Sequence, residues 1–154
     1  VTDLRMERVH GDSAGVVAAD WRYVHNLIIP THELSLADVR ERSGRNSLHV
    51  AYLGDTLVGC TTVRPPAADS PPATTATATV IARVLPEHRG RGLGGELYAY
   101  GLAHARELGA QVIETVVLAS NPEGLRFARS LGFVEFDRYV LPGDTVPYVD
   151  LRLT

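Results

Sequence analysis

The sequence predicts one α/β domain of the α+β kind, a mixed β-sheet with helices on its faces. Three observations carry that expectation. The chain has 154 residues, 45% hydrophobic and 21% charged, enough to bury about two-thirds of the surface its unfolded form exposes without metal or disulfide staples. Segments of strand and helix periodicity follow one another in the order β, α, α, β, β, β, α, β, α, β, β. A glycine-rich turn joins a long strand to an amphipathic helix. No repeat or linker divides residues 1–154, which are read as a single domain.

Each element has its own signal. Residues 4–9 alternate weakly, Leu4, Met6 and Arg8 against Arg5, Glu7 and Val9, as in a strand. Residues 12–29 set Val16, Val17, Trp21, Val24 and Leu27 at helical spacing, and Pro30 stops that helix. Ser35, with Asp38 three residues on, is a reduced capping box for a second helix running to about Ser43. Residues 48–53 and 57–63 are apolar, β-branched strands around a Gly54-Asp55-Thr56 turn. Residues 65–72 carry Pro65, Pro66, Pro71 and Pro72, which lack amide hydrogens, so this is a loop that either closes over a site or is idle. Residues 75–85 form a long strand ended by Pro86. Leu93, Leu97, Tyr100, His104 and Leu108 fall on one helical stripe closed by Gly109. Residues 112–119 are apolar on both faces, as a central strand requires. Asn121 caps a helix with Pro122 and Glu123 in its first turn, and Gly132 ends it. Strands at 133–141 and 146–153, joined by Pro142-Gly143-Asp144-Thr145, complete the sheet.

Composition excludes several classes of chemistry. All 15 cationic side chains are Arg, so neither a lysine-dependent phosphate loop nor Schiff-base catalysis can operate. The single cysteine, Cys60, rules out a disulfide within the chain, and no Cys/His cluster suggests a metal, so none is assigned. A net charge of −3 disfavours nucleic acid as a partner. No apolar run reaches the ~18 residues of a membrane span, and no secretory signal opens the chain. The expectation is a cytoplasmic protein without membrane contact. The chain opens on Val rather than Met, which leaves room for further residues at either end.

Chemistry concentrates in one place, Val84-Leu85-Pro86-Glu87-His88-Arg89-Gly90-Arg91-Gly92-Leu93-Gly94-Gly95. Four glycines in six residues let the backbone turn tightly and leave its amides uncovered. At a helix start those amides lack intrahelical acceptors and sit at the positive end of the macrodipole, a receptor for phosphate. A sharp turn alone would need only one or two glycines. Arg89 and Arg91 matter through their backbone amides more than through their charges. Gly90, Gly92 and Gly95 also satisfy the dinucleotide fingerprint, with Glu114 near the ribose-acid spacing. That fingerprint should follow its strand directly and open the fold, whereas here residues 86–89 intervene and too little chain follows.

Arg89-x-x-Gly92-x-Gly94, preceded by Val84-x-Pro86, resembles the acyl-CoA-binding motif of the GNAT superfamily of N-acetyltransferases. Asn121 followed by Phe127 and by Gly132-Phe133 is similar to that family's second signature, and the element order agrees over the whole chain. The resemblance implies a mostly antiparallel sheet in which two parallel central strands splay. It implies that pantetheine inserts there, pairing with the backbone of Ala82 and Val84, that amides of Arg89, Gly90, Arg91, Gly92 and Gly94 hold the pyrophosphate, and that Asn121 lies beside the pantetheine. The co-substrate would be acetyl-CoA and the partner a small-molecule or peptide amine, attacking the thioester directly. Final strands of such folds sometimes pair between chains, so a homodimer is one expectation.

The chain departs from the family where catalysis is concerned. The position four before Gly132, where the family commonly has a proton-donating tyrosine, is Ala128, and the long strand offers Thr75, Thr77 and Thr79 in place of a glutamate base. Ser120 is the replacement considered as acid or oxyanion donor, its alternative role being to start the next helix with Asn121. His25 is considered as a base acting through water, against a structural role on its helix. His88 and His104 read as turn and helix-face residues, and Cys60 as a small core residue. The acceptor would be read by residues 26–33 and 139–147. Lacking the tyrosine and a clear base, the chain is alternatively a CoA-binding module, one half of a tandem protein.

Overall fold

The computed structural model describes residues 3–10, 15–67 and 75–153. The expected helix start at 12–14 and the proline-loop residues 68–72 lie outside them. The elements are β1 (Leu4–Arg8), α1 (Val16–Ile28), α2 (Leu36–Ser43), β2 (Ser47–Leu53), β3 (Thr56–Arg64), β4 (Thr77–Val84), α3 (Leu93–Glu107), β5 (Val112–Leu118), α4 (Pro122–Ser130), β6 (Phe133–Tyr139) and β7 (Tyr148–Leu153). Short 3-10 turns at Pro30–His32 and Pro86–His88 follow α1 and β4. The order read from periodicity is the order observed.

One seven-stranded sheet runs β1-β2-β3-β4-β5-β7-β6, antiparallel except for the parallel pair β4 and β5. This is the mixed, mostly antiparallel sheet that was expected. Alternate residues of each strand serve opposite faces. On one face Leu48, Val50, Tyr52 and Cys60 pack against Trp21 and Val24 of α1 and Val39 of α2. On the other, Ala51 and Val58 meet Leu93 and Leu97 of α3, and Val80, Val149 and Leu151 meet Tyr98, Leu125 and Ala128. The last strand begins at Tyr148 rather than 146, because Pro147 cannot donate to a ladder. Ser35 accepts from the Asp38 amide at 3.1 Å and Asp38 returns the bond to the Ser35 amide at 2.9 Å, so the reduced capping box forms in full.

Two helix faces differ from the expected stripes. In α1 the buried residues are Ala18, Trp21, Val24 and His25, while Val16 and Leu27 are exposed. In α3 they are Leu93, Leu97, Tyr98, Gly101 and Ala105, while Tyr100 and Leu108 are exposed. The reason in α3 is close approach: a Cβ on Gly101 would lie 2.5 Å from Val80 Cγ1, so the helix seats β4 against its glycine. His49 of β2, buried beneath α3, stacks edge-on with Tyr100 and His104. Among the described residues no helix is long and apolar enough to cross a membrane, and no three His, Cys, Asp or Glu side chains are grouped to hold a metal ion.

Candidate active site

Two parallel strands part at the centre of the sheet. β4 and β5 pair only from Thr77 with Val112 to Thr79 with Glu114. Beyond that point β4 continues with β3 as far as Val84, and β5 continues with β7 as far as Leu118. The place where their ladder stops is occupied by Tyr98, a residue that sequence reading passed over. Its hydroxyl lies 3.0 Å from Thr115 Oγ1 on β5 and faces the Ala82 amide on β4. Its ring packs on Phe127 and Phe133. Burial pushes this phenol up, so it stays neutral and serves as a hydrogen-bonded prop. Its detectable signal was position, one residue after Leu97 on a helix whose small residues Gly101 and Ala105 mark the buried face.

On the α3 side of the wedge lies a cleft of about 310 Å³. Of the residues expected to bind the co-substrate, Ala82, Val84, Arg89, Gly90, Gly92, Gly94 and Asn121 line it. The Leu85 amide donates to Val58 across the β3 side, so strand alternation turns the peptide groups of Ala82 and Val84 toward the cleft. Gly90 and Gly92 have φ of 81° and 79°, which an L side chain rarely adopts, and a Cβ at either would meet open space. Among the described residues, the amides of Gly90, Arg91 and Gly92 meet no backbone acceptor. Those of Leu93, Gly94 and Gly95 open α3, where Gly92 provides no side-chain cap.

Three details refine the expected cradle. The Arg89 amide donates to Pro86 O at 3.3 Å, so the uncovered amides start at Gly90. The Arg89 side chain instead ties the mouth together, Nε donating to Val84 O at 3.0 Å and the guanidinium reaching Glu123 of α4 at 3.2 Å. Arg91 does not line the cleft, because the two left-handed glycines beside it leave it exposed. Asn121 Oδ1 accepts from the Gly124 amide at 3.0 Å, capping α4 as expected. His88 sits in its predicted turn and also lines the cleft, its buried Nδ1 without a partner among the described residues.

On the opposite face of β4 lies a second cavity, of about 230 Å³, beneath α1 and α2. His25 lines it, 5% exposed and stacked on Trp21 with ring centroids 5.3 Å apart. Asn26 Oδ1 already accepts from the Leu34 amide, and Asn26 Nδ2 donates to Leu34 O. His25 Nδ1, 3.0 Å from that Oδ1, is therefore the N–H donor, which leaves Nε2 with the lone pair. Burial, and then the charge of Arg83, lower its pKa to about 4. His32 and Tyr139 enter from the two segments expected to read the acceptor, and Tyr148 joins them from β7. His32 Nε2 lies 2.6 Å from Asp144 Oδ2. Burial and Asp150 push the Tyr139 phenol up to about 12. Arg83 lines both cavities and marks their junction.

The remaining candidates fall elsewhere. Ser120 is exposed on the turn after β5 and lines neither cavity; that turn is closed by the Asn121 amide on Leu118 O, and the capping role belongs to Asn121 alone. Ala128 is fully buried in the core under α4. Cys60 is fully buried, and burial raises its thiol to about 11, as befits a small core residue.

The sheet thus opens between two parallel strands, and a helix N-terminus presents bare amides at the mouth of the opening. The chain belongs to the GNAT acetyltransferase family: the sequence model described as "Acetyltransferase (GNAT) family" matches residues 18–133. Solved structures agree in fold. An N-acetyltransferase from Staphylococcus aureus Mu50 is 12% identical with a TM-score of 0.72, covering 99% of this chain and 98% of that one. A GNAT family acetyltransferase from Elizabethkingia anophelis, solved with acetyl-CoA bound, is 14% identical with a TM-score of 0.69 over 98% and 97% of the two chains. The protein yncA of Salmonella typhimurium, a proposed acetyltransferase solved with its cofactor acetyl-CoA, is 17% identical with a TM-score of 0.72 over 97% and 92%. No curated protein sequence matches the chain significantly.

Proposed function

We propose that this chain transfers an acetyl group from acetyl-CoA to the amine of an acceptor, acting in the cytoplasm as a single domain. The observation that carries the reading is the wedge between β4 and β5, with uncovered amides from Gly90 to Gly95 at its mouth. Amides of Gly90, Gly92 and Gly94, with their neighbours, would hold the pyrophosphate. The Ala82 carbonyl and Val84 amide would take the pantetheine arm as a partner strand, with Asn121 Nδ2 beside it. When bound, acetyl-CoA supplies an acyl carbon to which an amine nitrogen bonds as the carbon–sulfur bond breaks and the thiolate leaves.

The protein's share of the work is chiefly positioning, which turns a bimolecular encounter into an effectively unimolecular one. His25, neutral and oriented by Asn26, relays the amine's proton to water; its low pKa suits a relay and not a lasting proton store. Ser120 has no part in this scheme. An alkyl thiol has a pKa near ~8.5, so the thiolate leaves and takes a proton from water, forgoing the roughly 10²–10⁴-fold of a general acid. Acetyl-CoA should raise the melting temperature and NADH should not. Free-thiol release with a panel of amines should exceed the acceptor-free rate.

A second reading, a CoA-binding module with weak or no catalysis, is favoured by one observation: Ala128 lies in the core with nothing acidic in its place. A melting shift with acetyl-CoA but no amine-dependent thiol release from any acceptor would select it. For the homodimer, β6 is one of the two sheet edges and carries exposed Val134 and Phe136, the surface through which two copies would pair.

A further inference from the structure

Arg42 of α2, Arg64 at the end of β3 and Arg83 of β4 enter the 230 Å³ cavity, whose wall holds no aspartate or glutamate. Of the twelve other arginines, six, Arg5, Arg45, Arg89, Arg129, Arg138 and Arg152, make ion pairs among the described residues. None of the three cavity arginines makes an ion pair among the described residues. The nearby acids have hydrogen-bond partners of their own, Asp144 with His32, Asp150 with Tyr139, Asp38 with Ser35 and Glu41 with Arg45, and Asp38, Glu41 and Asp150 act on Arg42 and Arg64 by charge without an ion pair. Guanidinium groups gathered from three elements repel one another, and Arg42 and Arg83, half-buried where Arg64 is exposed, add a desolvation cost. Desolvation first, and then neighbouring guanidinium groups, hold Arg42 and Arg64 below the usual arginine range. An entering anion offsets that cost.

We propose that the acceptor is a small amine of the amino-acid class carrying an oxyanion, carboxylate or phosphonate, and that Arg42, Arg64 and Arg83 seat the oxyanion. This rests on the acetyl-transfer reading above. Planar guanidinium forks match both oxyanions in a way that a hydroxyl or a second amine cannot exploit. The cavity is small beside the roughly 300–1,000 Å³ of sites that enclose drug-sized ligands, which selects a small acceptor. Arg83 borders both cavities, so a small acceptor seated on it lies next to the wedge. The same cationic wall disfavours a bound ammonium and so raises the share of neutral, nucleophilic amine.

Calorimetric titration of the whole chain, with and without CoA, tests this with two matched pairs: L-glutamate against its diamide, and 3-aminopropylphosphonate against 3-aminopropanol. The oxyanion member of at least one pair should bind tenfold tighter or more, and which pair discriminates identifies the anion. Arg64→Gln and Arg42→Gln should each weaken that binding by about 10–100-fold, the range of a lost charge-assisted hydrogen bond, while CoA affinity stays within about twofold. Equal binding of charged and uncharged members, no binding of either oxyanion, or full anion affinity in both variants overturns the proposal. If CoA fails to bind while the oxyanion amines bind through these arginines, the acetyl-transfer reading falls and the anion site stands. If CoA binds and discrimination is absent, only the anion site falls.

Discussion

The two cavities that meet at Arg83 are made of different material. The one on the α3 side is built from backbone: peptide groups of β4, uncovered amides before α3, and glycines that keep side chains away. The one on the α1 side is built from side chains brought by α1, α2, β3, β4 and β7 and by Tyr139 at the end of β6. A backbone site needs a contiguous stretch of chain in one conformation, so it leaves a readable motif. A side-chain site needs only that distant residues meet, and its members carry no local mark.

That comparison can be broken in several ways, and the largest effect is expected in acid. His25 in the side-chain cavity and His49 beneath α3 are both buried, and burial is the leading cause that lowers each pKa to about 4. The unfolded chain, with histidine near ~6.5, takes up these protons first. Stability is therefore complete above about pH 6.5 and falls as pH drops toward 4, by on the order of 2–3 kcal/mol per histidine. Urea midpoints measured at pH 7 and 4.5 check this, and His49→Phe should remove about half of the loss. A midpoint that does not move between these pH values denies the buried neutral imidazoles.

Gly92→Glu comes next. It forces φ of 79° on a side chain and sets a carboxylate where phosphate should lie. Acetyl-CoA affinity should fall by roughly 100-fold, about 3 kcal/mol, with oxyanion-amine binding unchanged. Equal loss of both ligands would show that the two cavities are not independent.

Tyr98→Phe takes the hydroxyl from Thr115 and from the Ala82 amide, and should cost about 1–3 kcal/mol of stability. It should also weaken acetyl-CoA binding, since the wedge loses its prop; unchanged affinity would make Tyr98 a core residue only. The smallest effect belongs to Glu123→Gln. The Arg89–Glu123 pair is solvent-facing, so unfolding free energy should change by less than about 1 kcal/mol. Acetyl-CoA affinity should rise slightly as a carboxylate leaves the mouth, and a marked fall would give Glu123 a binding role of its own.

The glycine turn from Gly90 to Gly95 was legible because every requirement in it is local: a bend, a helix start and the absence of Cβ atoms. The full capping box at Ser35 and the helix start at Asn121 were legible for the same reason. The buried stripe of α3 was not. Tyr100, His104 and Leu108 look like a core face, but close seating at Gly101 rotates the helix so that Tyr98 and Ala105 are buried instead. Arg91 lies inside the motif yet is exposed and does not line the cleft, because the left-handed glycines on either side set the backbone there.

By itself the sequence determined the element order, the turn chemistry and the place of the bare amides, since local periodicity, proline, glycine and capping residues act over a few bonds. Tertiary structure alone decided that Tyr98 bridges β4 and β5 beyond their ladder, that Ser120 faces solvent and Ala128 the core, and that Arg42, Arg64 and Arg83 share one cavity. Those outcomes depend on strand order and helix seating, which join residues tens of positions apart by packing and leave no periodic trace along the chain.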